Sequence, residues 1–391
     1  MSKILLLNAG SSSVKWKLFS QGNEAVIAKG LVERIGQPKA NFAVTFAGQT
    51  MKEEIANLSY EQAAQLIIEK LATLKIAQLE EITAVGHRVV AGGMKFRHAT
   101  LVTKDVLAEI VALKDHAPLH NPMEAKYIEL MQGVMPRTPQ YAVFDSQFYT
   151  DLPEMNAIFS IPYEYTKKYE IRRYGEHGIS HTYLLKRTAE LLNKPAQDLK
   201  LITLHLGSGS SVAAIKDGRA FDTSMGFTPL TGLTMGTRGG DLDPSLVPFL
   251  MEKLNLSASE VLDIFNSRSG LLGLTEKSDD MRDIVANQAD PQFKLALDIF
   301  VNRIVKYVGS YMAELGGLDA LVVSGGIGEN NPWLRQALAD KLSFLGLKID
   351  SQVNESIEEG IISPEDATFK FMVVPTNEEL EMVRQIKAQL A

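Results

Sequence analysis

Three glycine-rich turns hold many of the residues that could do chemistry. In KILLLNAGSSSVKWKLF, residues 3–19, Asn8 and Lys15 flank a turn of Ala9, Gly10, Ser11, Ser12 and Ser13. HLGSGSS, residues 205–211, and SGGIGENN, residues 324–331, are the other two. Small residues let successive backbone amides approach an anion closely, and serine hydroxyls add donors, so such turns can cradle phosphate. A single Gly/Ser turn is an ordinary hairpin. Turns repeated after apolar strands point to grips on different parts of one nucleotide. The known nucleotide signatures narrow the choice. There is no G-x-x-x-x-G-K-[ST], so a P-loop is disfavoured. GSGSSV lacks the third glycine of the dinucleotide fingerprint and GGIGENN ends in asparagine, which disfavours a nicotinamide-binding unit. The H-R-D and D-F-G set of protein kinases is absent.

Charged residues add a second layer. Arg88 in GHRVVAGG and Arg238 in MGTRGGDLDP sit among glycines, small residues and apolar residues. An arginine so placed is expected to hold a fixed carboxylate or phosphate, the alternative being a structural salt bridge. His177 and His181 in YGEHGISHTYLL have the spacing of a zinc pair, but Gly178 and Ile179 break H-E-x-x-H and no third ligand is evident. His181 then reads as the start of a helix over 181–192. His177 reads as loop-borne, as does His120 in APLHNP. Asp145 ends a strand, where a carboxylate can face a cleft. Hard acidic oxygens suit Mg²⁺, which takes few protein ligands and keeps waters and phosphates. Glu378 stands beside Glu379, and Thr376 with Glu379 spells a T-x-x-E capping box for a last helix. An acid at a helix N-terminus also has a purely structural explanation.

These groups need a scaffold. The chain has 391 residues, enough for two or three domains. Hydrophobic content is 45% and charged content 22%, ordinary for a globular protein, and the net charge is −7. An acidic chain without Lys/Arg blocks argues against nucleic acid or anionic membrane as a partner. There are no cysteines, which excludes thiolate chemistry, disulfides and Cys-based metal sites. The N-terminal apolar run is too short for a signal peptide, and no run approaches the ~20 residues needed to span a bilayer, so a cytoplasmic protein is expected. Residues 4–7 and 14–19 read as strands about the first turn. The second of them alternates, with Val14, Trp16 and Leu18 opposite Lys15 and Lys17. Residues 60–75 carry a helical stripe, 82–90 a strand, 142–145 a strand and 291–315 a long helix, and Pro332 marks another helix start. The character changes after Leu152 and Pro153. LLLNAGSSSVKWKL and TLHLGSGSSVAAIK then repeat one strand–turn–strand pattern in the two halves, with a hairpin at Asp217-Gly218 after the second.

Taken in order, NAGSSSVKWKL, GHRVVAGG, APLHNP, FDSQF, RRYGEHGISH, HLGSGSSVAAI, DTSMGFTPLTGLTMGTRGGDLDP, SGGIGEN and PTNEE resemble the acetate kinase family over essentially the whole chain. The resemblance implies an α/β fold of two duplicated actin/hexokinase-like (ribonuclease H-like) domains with an interdomain nucleotide cleft. The first would be residues 1–150, completed by a C-terminal helix over 376–391, and the second residues 151–375. It implies a homodimer that uses Mg²⁺, with Mn²⁺ able to replace it. The reaction would be reversible phosphoryl transfer between ATP and acetate, giving acetyl phosphate and ADP. Carried over by motif, Asn8 and Glu378 would hold the metal, and Ser11, Ser13 and Lys15 would form the first phosphate turn, Lys15 touching the nucleotide. Arg88 and Arg238 would hold the acetate and the phosphoryl group in transit, with Asp145 a catalytic carboxylate and His177 stabilising the transition state. Val90, Leu119 and Pro229 would line the acyl pocket. His205, Leu206, Gly207, Ser208 and Gly209, then Asp280, Met281 and Arg282, then Gly326, Ile327, Gly328, Glu329 and Asn330, would bind nucleotide.

The implied chemistry makes sense from below. Acetate is already ionised at neutral pH, with a pKa of ~4–5, and needs no general base. The difficulty is an anion approaching a polyanion, which two arginines, a histidine and a metal ion address by neutralising and aligning the groups. Asp145 is then expected to orient rather than to take a proton. The chain departs from the family pattern at Glu176, where phenylalanine is usual beside the acyl pocket, at Ser208 in place of asparagine, and in FDSQFY. Glu176 bears on substrate preference more than on reaction type. Other readings are a propionate or butyrate kinase on the same scaffold, a non-catalytic actin-like ATPase module, and a sugar kinase with an Asp base.

Overall fold

A computed structural model of the chain describes residues 2–118 and 120–390. Two compact units emerge, one of residues 1–150 with 377–391 and one of residues 151–376.

The first unit is built on β1 (Lys3–Ala9), β2 (Ser13–Ser20), β3 (Val26–Glu33), β4 (Lys39–Phe46), β5 (Gln49–Ala56), β6 (Ile82–Val89), β7 (Thr100–Leu101) and β8 (Gln140–Phe144). Their order in the sheet is β5-β4-β3-β2-β1-β6-β8-β7. Strands β1 to β5 form an antiparallel meander; β6 then runs parallel to β1 and β8 parallel to β6. The run Ile4–Leu7 is continuous rather than alternating because both faces of β1 are covered. Leu5 and Leu7 join the core that contains Ala63, Ile67, Tyr127 and Met131 of the helices Tyr60–Thr73 and Asn121–Val134. On the other face Leu6 meets the helix Glu378–Leu390: a Cβ built on Gly86 would lie 2.5 Å from Leu6 Cδ2 and 2.4 Å from Ile386 Cδ1. The edge strand β5 is polar and exposed along nearly its whole length, which discourages pairing with another chain.

The second unit repeats the plan. Its strands are β9 (Leu201–Leu206), β10 (Ser210–Lys216), β11 (Arg219–Thr223), β12 (Ala320–Ser324), β13 (Gly360–Ile361) and β14 (Lys370–Val373), in the order β11-β10-β9-β12-β14-β13. Here the antiparallel meander has three strands rather than five, and its first strand is again extended by two parallel strands. The helix Pro291–Leu315 lays Phe293, Leu297, Phe300 and Ile304 on the side of Leu204, Leu206 and Val323. The helix Gly178–Leu192 covers the opposite face of β9, where Thr203 and His205 meet His181 and Ser180. The fold is therefore mixed α/β with a duplicated core, and the repeated strand–turn–strand sequences occupy equivalent places in it. The Asp217-Gly218 hairpin has both residues at positive φ, 54° and 71°, the pairing that a two-residue primed turn needs.

Three sequence expectations change. The helix expected to start at His181 begins one turn earlier, at Gly178, and His177 precedes it at φ 57°. The third glycine-rich turn is a short helix, Gly325–Glu329. The Thr376/Glu379 capping box does not form. Asn377 caps the last helix, its Oδ1 accepting from Leu380 N at 3.1 Å. The Thr376 hydroxyl is instead engaged with Ser180 Oγ at 2.7 Å, and Glu379 pairs with Lys17 at 2.9 Å.

Gly325 has φ 77°, and a Cβ there would sit 2.6 Å from the Leu206 carbonyl oxygen. Neighbouring Gly326 has open space. Gly325→Ala should therefore cost on the order of 3 kcal/mol of stability, while Gly326→Ala stays within about 1 kcal/mol. Urea unfolding followed by circular dichroism measures both; equal midpoints for the two variants would refute the strain argument.

Candidate active site

In the first unit the sheet brings Arg88, at the end of β6, against Asp145, which directly follows β8. The guanidinium grips the carboxylate with two bonds, Nη2 to Oδ2 at 2.6 Å and Nε to Oδ1 at 3.2 Å. Asp145 is fully buried and Arg88 one-fifth exposed. Glu378 Oε2 stands 4.0 Å from Arg88 Nε. Burial works against the arginine's charge, but the carboxylates of Asp145 and Glu378 outweigh it and hold the guanidinium above its usual range. A pocket of about 260 Å³ is lined by Asn8, Lys15, Arg88 and Glu378, with apolar walls from Leu6, Leu31, Ala43 and Met382. Lys15 thus shares a pocket with the metal-candidate residues Asn8 and Glu378. Asn8 and Glu378 supply hard oxygen donors, the chemistry that Mg²⁺ prefers. Among the described residues no group of three or more His, Asp or Glu side chains could enclose a metal ion. That is compatible with an ion bound mainly through phosphate and water.

The loop after β6 is held by side chains the sequence did not single out. Val90 N donates to Glu124 Oε2 at 3.0 Å, Ala91 N to Asn121 Oδ1 at 3.0 Å, and Gly92 N to Ser146 Oγ at 2.8 Å. Asn121 and Glu124 lie in the first turn of the helix Asn121–Val134. They fix Val90, which is itself buried, and the backbone next to Arg88. Burial pushes the Glu124 carboxyl up to about 8, with Arg88 opposing and Asp145 adding to the rise. The expected pocket residue Leu119 lies outside the described residues.

In the second unit His177 faces the turn between β9 and β10. Its Nδ1 lies 2.9 Å from Ser211 Oγ, and its ring stacks on His205 with centroids 4.3 Å apart. Ser211 Oγ also meets His181 Nε2 at 2.8 Å, and His181 Nδ1 meets Thr203 Oγ1 at 2.6 Å. His205 Nδ1 is 2.8 Å from Ser180 Oγ. A Cβ on Gly209 would be 3.3 Å from His177 Nε2 and 4.0 Å from Arg238 Nη1, so the glycine leaves a shared open space beside both. Arg238 Nη1 also donates to the carbonyl of buried Pro229 at 3.3 Å. Glu176, next to His177, is half-buried.

A second pocket, about 630 Å³, is lined by Gly207 and Ser208 from the β9–β10 turn, Asp280, Met281 and Arg282, and Gly326, Ile327 and Asn330, with Asp279, Val285 and Asn331 completing it. Its size suits a nucleotide. Asp280 caps the helix Met281–Ala286, and hydrogen bonds from Arg282 hold its carboxyl at about 2. Other expected residues do not line this pocket. Leu206 is packed in the core, a Cβ on Gly328 would touch Val323, and His205 and Gly209 belong to the His177 cluster. Glu329 turns inward, where Oε1 accepts from Gly325 N at 2.7 Å, Thr376 N at 3.1 Å and Ser324 Oγ at 3.2 Å. Buried Arg335 secures the end of the same segment by donating to the carbonyls of Gly328 and Glu329. No spacing rule in the sequence marks Arg335, Glu124 or Ser211 for these tasks.

Comparison with known proteins follows the same lines. The model of the Acetokinase family matches residues 3–384. An acetate kinase of Limosilactobacillus fermentum is 48% identical over 392 residues, covering 99% of this chain and 98% of that one. The acetate kinase of Enterococcus faecalis is 46% identical, covering 99% of each. Among solved structures, the acetate kinase of Porphyromonas gingivalis superposes with a TM-score of 0.93 at 38% identity over 100% of both chains. A propionate kinase of Francisella tularensis superposes with 0.94 at 40% identity, over 98% of this chain and 99% of that one.

The raised Glu124 carboxyl has a measurable consequence. Between the ordinary carboxyl value near 4.5 and about 8 the folded chain holds a proton that the unfolded chain has released. Glu124 thus makes stability fall as pH rises through that window, by up to roughly 1.4 kcal/mol per pH unit. Glu124→Gln should flatten this decline. Urea midpoints at pH 5.5 and 7.5 test it, and an unchanged pH slope in the variant would show that Glu124 is ionised in the folded state.

Proposed function

The chain belongs to the acetokinase family, and on that premise we propose that it transfers the γ-phosphoryl group of ATP to acetate, reversibly, giving acetyl phosphate and ADP. It is a phosphotransferase with a carboxyl group as acceptor. The observation that carries the nucleotide part of the reading is the 630 Å³ pocket, where three separate segments expected to bind nucleotide come together. Arg88, held by fully buried Asp145 beside Glu378, supports the acid part.

The proposed roles follow from this geometry. Asp145 is already bonded twice to Arg88, and the acceptor acid has no proton to give, so Asp145 positions the arginine and accepts no proton from substrate. Arg88 keeps its charge and offers its remaining N–H groups to an anion. Arg238 and His177 border the space that Gly209 leaves open, so the phosphoryl oxygens there meet a cation and an imidazole together. Val90, Leu119 and Pro229 would line the acyl pocket, as the family resemblance implies. Asn8 and Glu378 would hold Mg²⁺, or Mn²⁺ in its place, which supplies charge neutralisation to the phosphates. The homodimer rests on the family resemblance, and the cytoplasmic location on the short N-terminal apolar run and the lack of a membrane-length one in the sequence. No helix among the described residues is long and apolar enough to cross a membrane. Propionate is the second reading, supported by the similarity to the Francisella propionate kinase; Glu176, where the family usually has phenylalanine, bears on the choice between the two acids.

Incubation with Mg·ATP and acetate, propionate, butyrate, glycerol or no acceptor, with hydroxylamine trapping acyl phosphate, tests this directly. Hydroxamate should form most rapidly with acetate. Faster propionate turnover would move the substrate and keep the chemistry; ATP hydrolysis without any hydroxamate would overturn the reading. Arg88→Ala and Arg238→Ala should each lower kcat on the order of 10³-fold, as loss of an arginine finger does. Near-wild-type turnover in either variant would remove that residue from the mechanism.

A further inference from the structure

We infer that Thr203, His181 and Ser211 form a hydrogen-bond relay that fixes the tautomer of His177, presenting its Nε2–H as a donor to the space beside Gly209 and Arg238. The inference deepens the proposed function, since it rests on His177 acting at the phosphoryl group.

The relay is settled by counting protons. Ser211 Oγ lies between two imidazole nitrogens, His177 Nδ1 at 2.9 Å and His181 Nε2 at 2.8 Å. A hydroxyl has one proton and two lone pairs; accepting from both nitrogens would leave the buried Ser211 proton unused, so it donates to one nitrogen and accepts from the other. Thr203 Oγ1 is fully buried on β9, and its side-chain hydrogen bond is to His181 Nδ1 at 2.6 Å. His181 is itself buried, and burial, with His205 nearby, lowers its pKa well below the usual value, so it carries a single N–H.

Only two arrangements satisfy Ser211. In the first, Thr203 donates to His181 Nδ1, His181 Nε2–H donates to Ser211, and Ser211 donates to His177 Nδ1. His177 then carries its proton on Nε2. In the second, every link is reversed: His177 Nδ1–H donates to Ser211, Ser211 to His181 Nε2, and His181 Nδ1–H to Thr203. That leaves the buried Thr203 hydroxyl proton without an acceptor, the costly situation for a polar group away from water. The first arrangement satisfies every member, and Thr203, far along the relay, decides it.

The consequence reaches the open space. His177 Nε2 is 3.3 Å from the point where a Cβ of residue 209 would stand, and Arg238 Nη1 is 4.0 Å from the same point. An anionic oxygen placed there receives an N–H from one and a guanidinium from the other. Stacking on His205, whose Nδ1 is tied to Ser180, holds the plane of the His177 ring. Adding a proton at Nδ1 of His177 would force the whole relay to reverse and strand the Thr203 proton. The arrangement therefore opposes the Nδ1–H form of His177. Thr203, His181 and Ser211 are positioning residues.

Long-range ¹H–¹⁵N correlation spectra of ¹⁵N-histidine-labelled protein read the tautomer directly, with His177→Gln identifying the His177 signals. The wild type should show protonated Nε2 and unprotonated Nδ1 at His177. Thr203→Val, which keeps the shape and removes the hydroxyl, should move His177 toward the Nδ1–H form. It should lower kcat about tenfold, the effect of one lost hydrogen bond, while KM for ATP and for acetate stays within about twofold. Thr203→Ser should restore both the spectrum and kcat. An Nδ1–H signal at His177 in the wild type overturns the relay, and that reading needs no variant to fold. Unchanged spectra and rates in Thr203→Val overturn it as well. Wild-type turnover by His177→Gln would instead sink the catalytic part of the proposed function, while the spectra still decide the tautomer.

Discussion

A buried strand that stops short of solvent leaves backbone amides with no ladder partner, and satisfying them is the constraint on which this structure turns. Each sheet has a central strand buried on both faces, and the turns at the strand ends are where the chemistry-bearing side chains gather. After β6 the amides of three successive residues are taken by Glu124, Asn121 and Ser146. After β12 the amide of Gly325 is taken by Glu329, which also accepts from Thr376 N beyond β14. Loops tied down in this way hold still, and Arg88 and Val90 inherit that rigidity from their neighbours.

Arg88 and Arg335 show how differently one residue type can be used. Arg88 has a carboxylate on one side and exposure on the other, so its charge is retained and directed outward. Arg335 has no carboxylate hydrogen-bonded to it. Its donors go to the carbonyls of Gly328 and Glu329 and to Asn354 Oδ1 and O, and burial lowers its pKa. The first arrangement suits an anion arriving from outside. The second braces a turn from within, at the cost of desolvating a cation.

Much of this was legible in the sequence because it depends on local pattern. The continuous apolar run of β1, the alternation of β2, the Asp217-Gly218 hairpin and the helix over 291–315 each follow from periodicity or turn chemistry within a few residues. The surroundings of Arg88 predicted a fixed anionic partner, and Asp145 provides one. What could not be read was the identity of partners distant in sequence. Thr376 looked like a helix cap because nothing nearby competes for its hydroxyl; the competitor, Ser180, is 196 residues away. Glu329 reads only as one member of a glycine-rich turn, and its carboxylate is the turn's own internal brace. Glu124 and Ser211 are ordinary helix and strand residues until the fold places an amide or an imidazole beside them.

The helix Glu378–Leu390 belongs to the first unit although the whole of the second precedes it in the chain. During synthesis the first sheet therefore emerges with one face uncovered. Gly86 and Leu6 wait for Ile386 until every strand of the second unit has been made. At roughly 5–20 residues per second that interval is on the order of tens of seconds. The second unit, continuous in sequence, can close as soon as it is complete. The half of the molecule made first is thus the half finished last, and it spends the intervening time with an apolar sheet face open to chaperones or to aggregation.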